Sequence, residues 1–258
     1  MHAAKVECLR RKFDAGRRYA YTVSMSIKAN APPPRRMTNP MLPRLALTRD
    51  RVLLAGIALA DEKGLGPLSI RHLADVFGVR AMSLYNHVSH KDDLIDGMVD
   101  IIVSRIAVPA AGGDWKAAMR RRAVSARQVF LKHPWAPVLV VSRINTGPAM
   151  LRLINATLGC LHAAGFSYEA ADHAWNALDS HLYGFTLQEL NFPMEPRHCV
   201  KAAKQFLPLL PAAQYPHLRG LTEKVIARQH SGQHDFHFGL HLLLEGLEAT
   251  RGGRMRLS

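Results

Sequence analysis

From Leu45 onward, apolar residues return every three or four positions, the period of an α-helix. No sustained apolar–polar alternation flanked by hairpin turns interrupts that pattern. Start and stop signals cut it into segments. Thr48 is placed to cap a helix through Lys63, with Asp50 and Arg51 in its first turn, Gly64 at its end and Pro67 soon after. Ser69 caps a short helix with Leu73, Val76 and Phe77 on one face, closed by Gly78. A second short helix runs from about Arg80 to Asn86. Ser89-His90-Lys91-Asp92 reads as a capping box that opens a long helix to about Ile106.

Pro109, Gly112 and Gly113 mark a boundary, and a second set of helices follows. One spans Asp114 to Lys132 and stops before Pro134. The next starts near Thr146-Gly147-Pro148, carries Met150, Leu153, Leu158 and Leu161, and ends at Gly165. Ser167 caps a long helix to about Leu190, with Pro193 and Pro196 beyond it. Further helices are predicted over Arg197 to Leu207, Leu221 to Gln229 and Asp235 to Ala249, the last with Phe236, Leu240, Leu243 and Leu247 on one face. The expected class is therefore all-α, in three parts: a leader over 1–44, a first domain over 45–108 and a second over 109–258.

Composition narrows the options. The chain has 258 residues, 48% of them hydrophobic, enough for a sizeable buried core. Its longest apolar run, Val52 to Ala60, falls well short of the ~20 residues a membrane helix needs, and no secretory signal is apparent. Cys8, Cys160 and Cys199 are too scattered for a disulfide framework or a cysteine zinc site, which points to a reducing cytoplasm. Net charge is +14 and unevenly spread, at +8 over 1–44, −1 over 45–108 and +7 over 109–258. A basic chain suggests a polyanionic partner. The leader, with Pro32-Pro33-Pro34 and paired arginines, reads either as an unpacked tail (or a start codon placed upstream of Met25, Met37 or Met41) or as a basic arm tracking phosphates.

Residues 69–88 fit the steric needs of a helix-turn-helix. Ala74 is small where a second helix must cross closely, and Gly78 can take the positive φ of a tight turn. Leu84 points back toward Leu73 and Val79. The outer face of 80–86 is then free to enter a major groove.

The wider stretch from Leu47 to about Met98 resembles the tetracycline-repressor (TetR) family of bacterial regulators. The likeness is carried by Thr48-Arg49-Asp50-Arg51, Leu73-Ala74, Gly78-Val79 and Lys91-Asp92-Asp93-Leu94, and most specifically by Leu84-Tyr85-Asn86-His87-Val88. It continues through His133-Pro134-Trp135, Leu161 to Phe166 and Phe238 to Leu247. The resemblance implies an N-terminal three-helix helix-turn-helix DNA-binding domain and a C-terminal helical ligand-binding and dimerisation domain. It implies that Arg80, Ala81, Met82 and Ser83 open the recognition helix, with Ala81 and Met82 offering apolar contact to a thymine methyl. Tyr85 and His87 resemble phosphate-contacting positions, and Asn86 reaches the backbone or a base. Arg71 suits a phosphate or a guanine edge, and Lys91 sits at a helix N-terminus that already favours an anion. Tyr85 can also pack its ring on the small core with its hydroxyl outward. The partners implied are a double-stranded DNA operator, a second copy of the chain and a small-molecule effector, at the bacterial nucleoid and away from membranes.

A dimer interface is expected on 168–191 and 235–249. On the first, His173, Ala177, His181, Gly184 and Gln188 form a stripe of small and polar residues that suits either close helix approach or a ligand cavity. The aromatic and polar residues Trp135, His162, Trp175, His181 and Phe206 are candidates for an effector pocket or for ordinary core packing. His237, His241 and Glu245, spaced four apart, could chelate a metal only with further ligands, so no metal site is expected. Nucleophile-elbow, dinucleotide-binding, phosphate-loop and His-Glu-x-x-His motifs are all missing from the sequence, so neither an enzyme nor a resident cofactor is indicated. A helical enzyme, or a structural helical protein with a basic arm, would leave residues 69–91 without an explanation.

Overall fold

A computed structural model of the chain describes residues 46–192 and 198–251. The predicted leader lies outside the described residues, as do Pro193, Pro196 and Arg197. Among the described residues every regular element is helical, in agreement with the all-α pattern. The first helices are α1 (Arg49–Lys63), α2 (Ile70–Phe77), α3 (Ala81–Tyr85) and α4 (Lys91–Val103). Those that follow are α5 (Trp115–Lys132), α6 (Ala136–Ser142), α7 (Pro148–Ala163), α8 (Tyr168–Asn191), α9 (Cys199–Phe206), α10 (Pro216–Ile226) and α11 (Phe236–Thr250).

Most boundaries follow the capping chemistry. Side-chain oxygens of Thr48, Ser69, Asp114, Ser167 and Asp235 accept backbone N–H groups in the first turns of α1, α2, α5, α8 and α11. Three boundaries differ from expectation. The box at α4 is shifted by one residue: His90 Nδ1 accepts the Asp93 N–H at 3.1 Å, and the Asp93 carboxylate accepts the Ser89 N–H at 2.7 Å. Asp93 takes the third helical position because Arg49 binds it there. The α4 helix closes at Val103 rather than Ile106, where the Ser104 hydroxyl donates to the Ile101 carbonyl. α10 starts at Pro216 instead of Leu221, the proline occupying the first turn. α6 lies in a stretch for which the sequence pattern predicts no helix, between the stop at Pro134 and the start near Thr146, and Pro137 sits in its opening turn.

One contiguous core joins α1 to α8 and α11, while the buried Cys199 of α9 and Val225 of α10 lie outside it. Val52 and Leu53 of α1, Leu73 and Ala74 of α2, and Leu84 of α3 pack with Leu94 and Met98 of α4. Farther along, Ile102 and Val103 belong to the same cluster as Trp115, Met119, Phe130, Leu161, Leu178 and Leu240. α4 is thus a beam whose first half belongs to the head (α1 to α3) and whose second half joins the body (α5 to α11). On α11 the fully covered residues are Phe236, Leu240 and Leu244, while Leu243 and Leu247 are half-buried beside them.

Candidate nucleic-acid interface

The turn between α2 and α3 depends on Gly78, whose φ of 64° lies in the left-handed region. Its N–H closes α2 on Asp75, and the Val79 N–H bonds the Ala74 carbonyl at 3.0 Å. Leu73 and Leu84 are fully buried, so α3 is anchored from beneath. Its other flank faces solvent. Arg71, Arg80, Met82, Tyr85, Asn86 and Lys91 are exposed, and Ser83 and His87 are half-buried. Met82 is 74% exposed. Ala81, by contrast, packs partly on the core, so Met82 is the apolar side chain that stands free. Tyr85 is 49% exposed and is not among the side chains packed on the core.

Sequence reasoning missed how this surface is held. Arg49, the first residue of α1, donates from Nη1 to the His87 carbonyl at 2.7 Å and to Asp93 Oδ2 at 3.1 Å, and from Nη2 to Asp93 Oδ1. Hydrogen bonds from Arg49 and from the Ser89 N–H, partly opposed by burial, hold the Asp93 carboxyl down at about 2. The other α4 acids face the body. Arg143, which ends α6, binds Asp96 at 2.8 Å and Asp92 at 3.0 Å. Asp100 accepts the N–H groups of Ala149 at 3.0 Å and Met150 at 3.1 Å, capping an α7 that begins at glycine and proline and has no cap of its own. Asp92, Asp96 and Asp100 recur at four-residue spacing, a signal the sequence did contain. A second tie links α1 to the body: Asp61 accepts from His133 Nδ1 at 2.8 Å and from Trp135 Nε1 at 2.7 Å. Arg105 Nη1 lies 2.8 Å from His133 Nε2, which fixes the proton on Nδ1. Asp61, Asp93 and Asp100 are thus turned onto protein partners, while Arg71, Arg80 and Lys91 face solvent.

The five pocket candidates are dispersed. Trp135 is spent on Asp61 and His162 stacks on Tyr168 at 4.3 Å. His181 donates from Nε2 to the Phe236 carbonyl oxygen at 3.0 Å, at the start of α11. Phe206 is exposed on α9. Trp175 joins a buried polar centre in which Arg122, 4% exposed, binds Asp179 with both terminal nitrogens at 2.7 and 3.2 Å, and Trp175 Nε1 donates to Asp179 at 2.7 Å. Arg122 Nε is buried without a partner, and burial pushes the nearby Tyr183 phenol well up, keeping it neutral. A cavity of about 400 Å³ lies elsewhere, between α1, α4 and the 144–148 loop, and none of the five lines it. Glu245 accepts from Lys116 at 2.7 Å, and among the described residues no three metal-ligating side chains converge. No described helix is long and apolar enough to cross a membrane.

Outward faces remain on α8 and α11. A Cβ at Gly184 or Gly246 would meet nothing within 4 Å, and Phe238 and Leu242 are 65% and 56% exposed.

Comparison with known proteins gives this geometry a lineage. Residues 108–251 match the family described as tetracyclin repressor-like, C-terminal domain. The chain is 31% identical over 207 residues to an HTH-type transcriptional regulator of Saccharopolyspora erythraea, covering 80% of this chain and 86% of the relative. It is 28% identical to the class E tetracycline repressor protein of Escherichia coli, covering 79% and 92% of the two chains. Among solved structures, the Streptomyces coelicolor TetR family protein ActR in complex with actinorhodin superposes with a TM-score of 0.68 at 26% identity, over 81% of this chain and all of that one. The chain belongs to the tetracycline-repressor family, whose members are transcriptional regulators and not enzymes.

Proposed function

We propose that the chain is a homodimeric repressor that binds a palindromic operator in double-stranded DNA and is released by a small-molecule effector. The observation that carries this reading is the free outer flank of α3, held rigidly from below by Leu84 while Met82 and the neighbouring polar side chains face solvent. In this reading residues 45–108 are the DNA reader, 109–258 the effector and dimer domain, and 1–44 a basic leader. Arg80, Ala81, Met82 and Ser83 face base edges, with Met82 as the thymine-methyl contact. Arg71, Tyr85, His87 and Lys91 bind phosphates, and Asn86 takes a phosphate or a base.

The open faces of α8 and α11 suit a four-helix interface with a second copy, whose two recognition helices would then sit about one helical turn apart, ~34–36 Å. The effector belongs in the body, where Trp175, Asp179 and the orphan Arg122 Nε offer polar anchors in an apolar setting. The complex of ActR with actinorhodin gives a guide to the effector's scale. Effector and DNA would oppose each other by linkage, with α4 as the moving part, because Arg143 and the α7 cap grip it from the body side. The place of action is the bacterial cytoplasm, at the nucleoid.

The test is selection of bound duplexes from a random pool, followed by titration with Arg71→Ala/Lys91→Ala. The double variant should keep its helical content and lose about two counterions from the salt dependence of binding. Equal affinity and equal salt slope for both proteins would refute the reading.

A further inference from the structure

We infer that Arg49 and Asp93 are positioning residues for DNA binding: without touching the duplex, they clamp the backbone turn that aims α3 and presents His87 and Lys91. The inference rests on the DNA-binding reading above and adds a distinct physical claim to it.

α3 has five residues and no side-chain cap at its start. So short a helix has little stability of its own, and its direction is set by its flanks. One flank is the Gly78 turn. The other is the segment from Asn86 to His90, whose inward groups are satisfied locally: the N–H groups of His87 and Val88 both bond the Leu84 carbonyl, and Val88 is buried. The His87 carbonyl is taken by the Arg49 guanidinium from 38 residues away and the Ser89 N–H by the Asp93 carboxylate of the α4 box, and these two side chains bind each other. Two residues 44 positions apart thus close a ring through α1, the turn and α4. The planar fork of arginine spans the carbonyl and both carboxylate oxygens together; a lysine ammonium has no such fork. Both terminal nitrogens of Arg49 are engaged by the His87 carbonyl and the Asp93 carboxylate.

The sign of one substitution separates this role from simple electrostatics. Removing a carboxylate beside a DNA-binding surface strengthens binding to a polyanion if charge alone matters. Removing the clamp weakens it. Asp50 supplies the control, being an exposed acid next to Arg49 outside the clamp. Duplexes selected by the wild-type protein serve as the probe, and affinity is read against salt by fluorescence anisotropy. Asp93→Asn should bind about tenfold more weakly than wild type, the loss of one charge-assisted hydrogen-bond set. Asp93→Glu should stay within about threefold, and Asp50→Asn should match or exceed wild type. Arg49→Lys should fall with Asp93→Asn while keeping the wild-type salt slope, because no phosphate contact is lost. Thermal unfolding of each variant separates a displaced turn from a collapsed head, and Arg49→Lys keeps the question decidable if Asp93→Asn unfolds. Binding by Asp93→Asn as tight as, or tighter than, that of Asp50→Asn would overturn the clamp and leave the DNA reading intact. Failure of the wild-type protein to select any duplex would overturn both.

Discussion

Gly147 and Asp100 make a sharp test of how the body holds α4. Gly147 has φ −63° and ψ 151°, which alanine adopts without strain. A Cβ there, however, would lie 2.2 Å from Asp100 Oδ1 and 2.4 Å from its Cγ. Gly147→Ala must therefore push the carboxylate off the N–H groups of Ala149 and Met150. Losing a helix cap costs about 0.5–2 kcal/mol, offset in part by the ~0.4–1 kcal/mol that a less flexible unfolded chain returns. The net expectation is destabilisation of about 1 kcal/mol, or a fall of roughly 2–4 °C in Tm for a chain of this size. In an Asp100→Ala background the carboxylate is already gone and the nearest remaining contact is the residue-100 Cβ at 2.8 Å. The same glycine substitution should then cost less than about half as much, a coupling a double-mutant cycle reads directly. Urea denaturation at one fixed protein concentration is the assay, which holds any contribution of self-association constant. Equal costs of Gly147→Ala in the two backgrounds would refute the cap.

Other expectations follow from the same contacts. Arg122→Ala should cost about 3–5 kcal/mol by chemical denaturation because it strands Asp179 in the body, whereas Arg122→Met/Asp179→Leu should recover most of that loss; an uncoupled double variant would count against a buried pair. Asp93 has its pKa lowered on folding to about 2, so its stabilisation is complete above the unfolded value of about 3.9 and disappears as pH falls toward 2. The stability gap between wild type and Asp93→Asn should accordingly be flat from pH 5 to 8 and shrink only below about pH 4, and a gap that closes near pH 6 would assign the effect to another group. If Met82 reads a thymine methyl, replacing the contacted thymine by uracil should weaken wild-type binding by about tenfold and leave Met82→Ala indifferent. Leu84→Ala opens the base of α3 and should cost about 2–5 kcal/mol with loss of DNA binding, both measured on the same preparation.

How legible the molecule was depended on the range of the interaction. Caps act over three residues, so Thr48, Ser69, Asp114, Ser167 and Asp235 announced their helices in the sequence. Gly78 and Leu84 were readable for the same reason, their roles being dictated by local sterics. α6 escaped because proline is a breaker inside a helix and a good residue in its first turn, and sequence alone does not say which position Pro137 holds. The clamps escaped because their partners are far apart: Arg49 and Asp93 are separated by 44 residues, and Asp61 and Trp135 by 74. The pocket candidates share one sequence trait, a polar or aromatic group on an apolar helix. That trait cannot distinguish a group awaiting a ligand from one, like Trp135, already matched by a distant carboxylate.

The bond from Trp135 to Asp61 has a practical corollary. The chain has only three tryptophans, and Trp115 and Trp175 donate to Glu248 and Asp179 within the body. Trp135 alone spans the seam to α1, wedged beside an imidazole and a carboxylate. Any swing of α1 to α3 against the body changes the surroundings of that indole first. The molecule therefore carries its own optical gauge, whose emission colour and lifetime report the motion without a dye or a label.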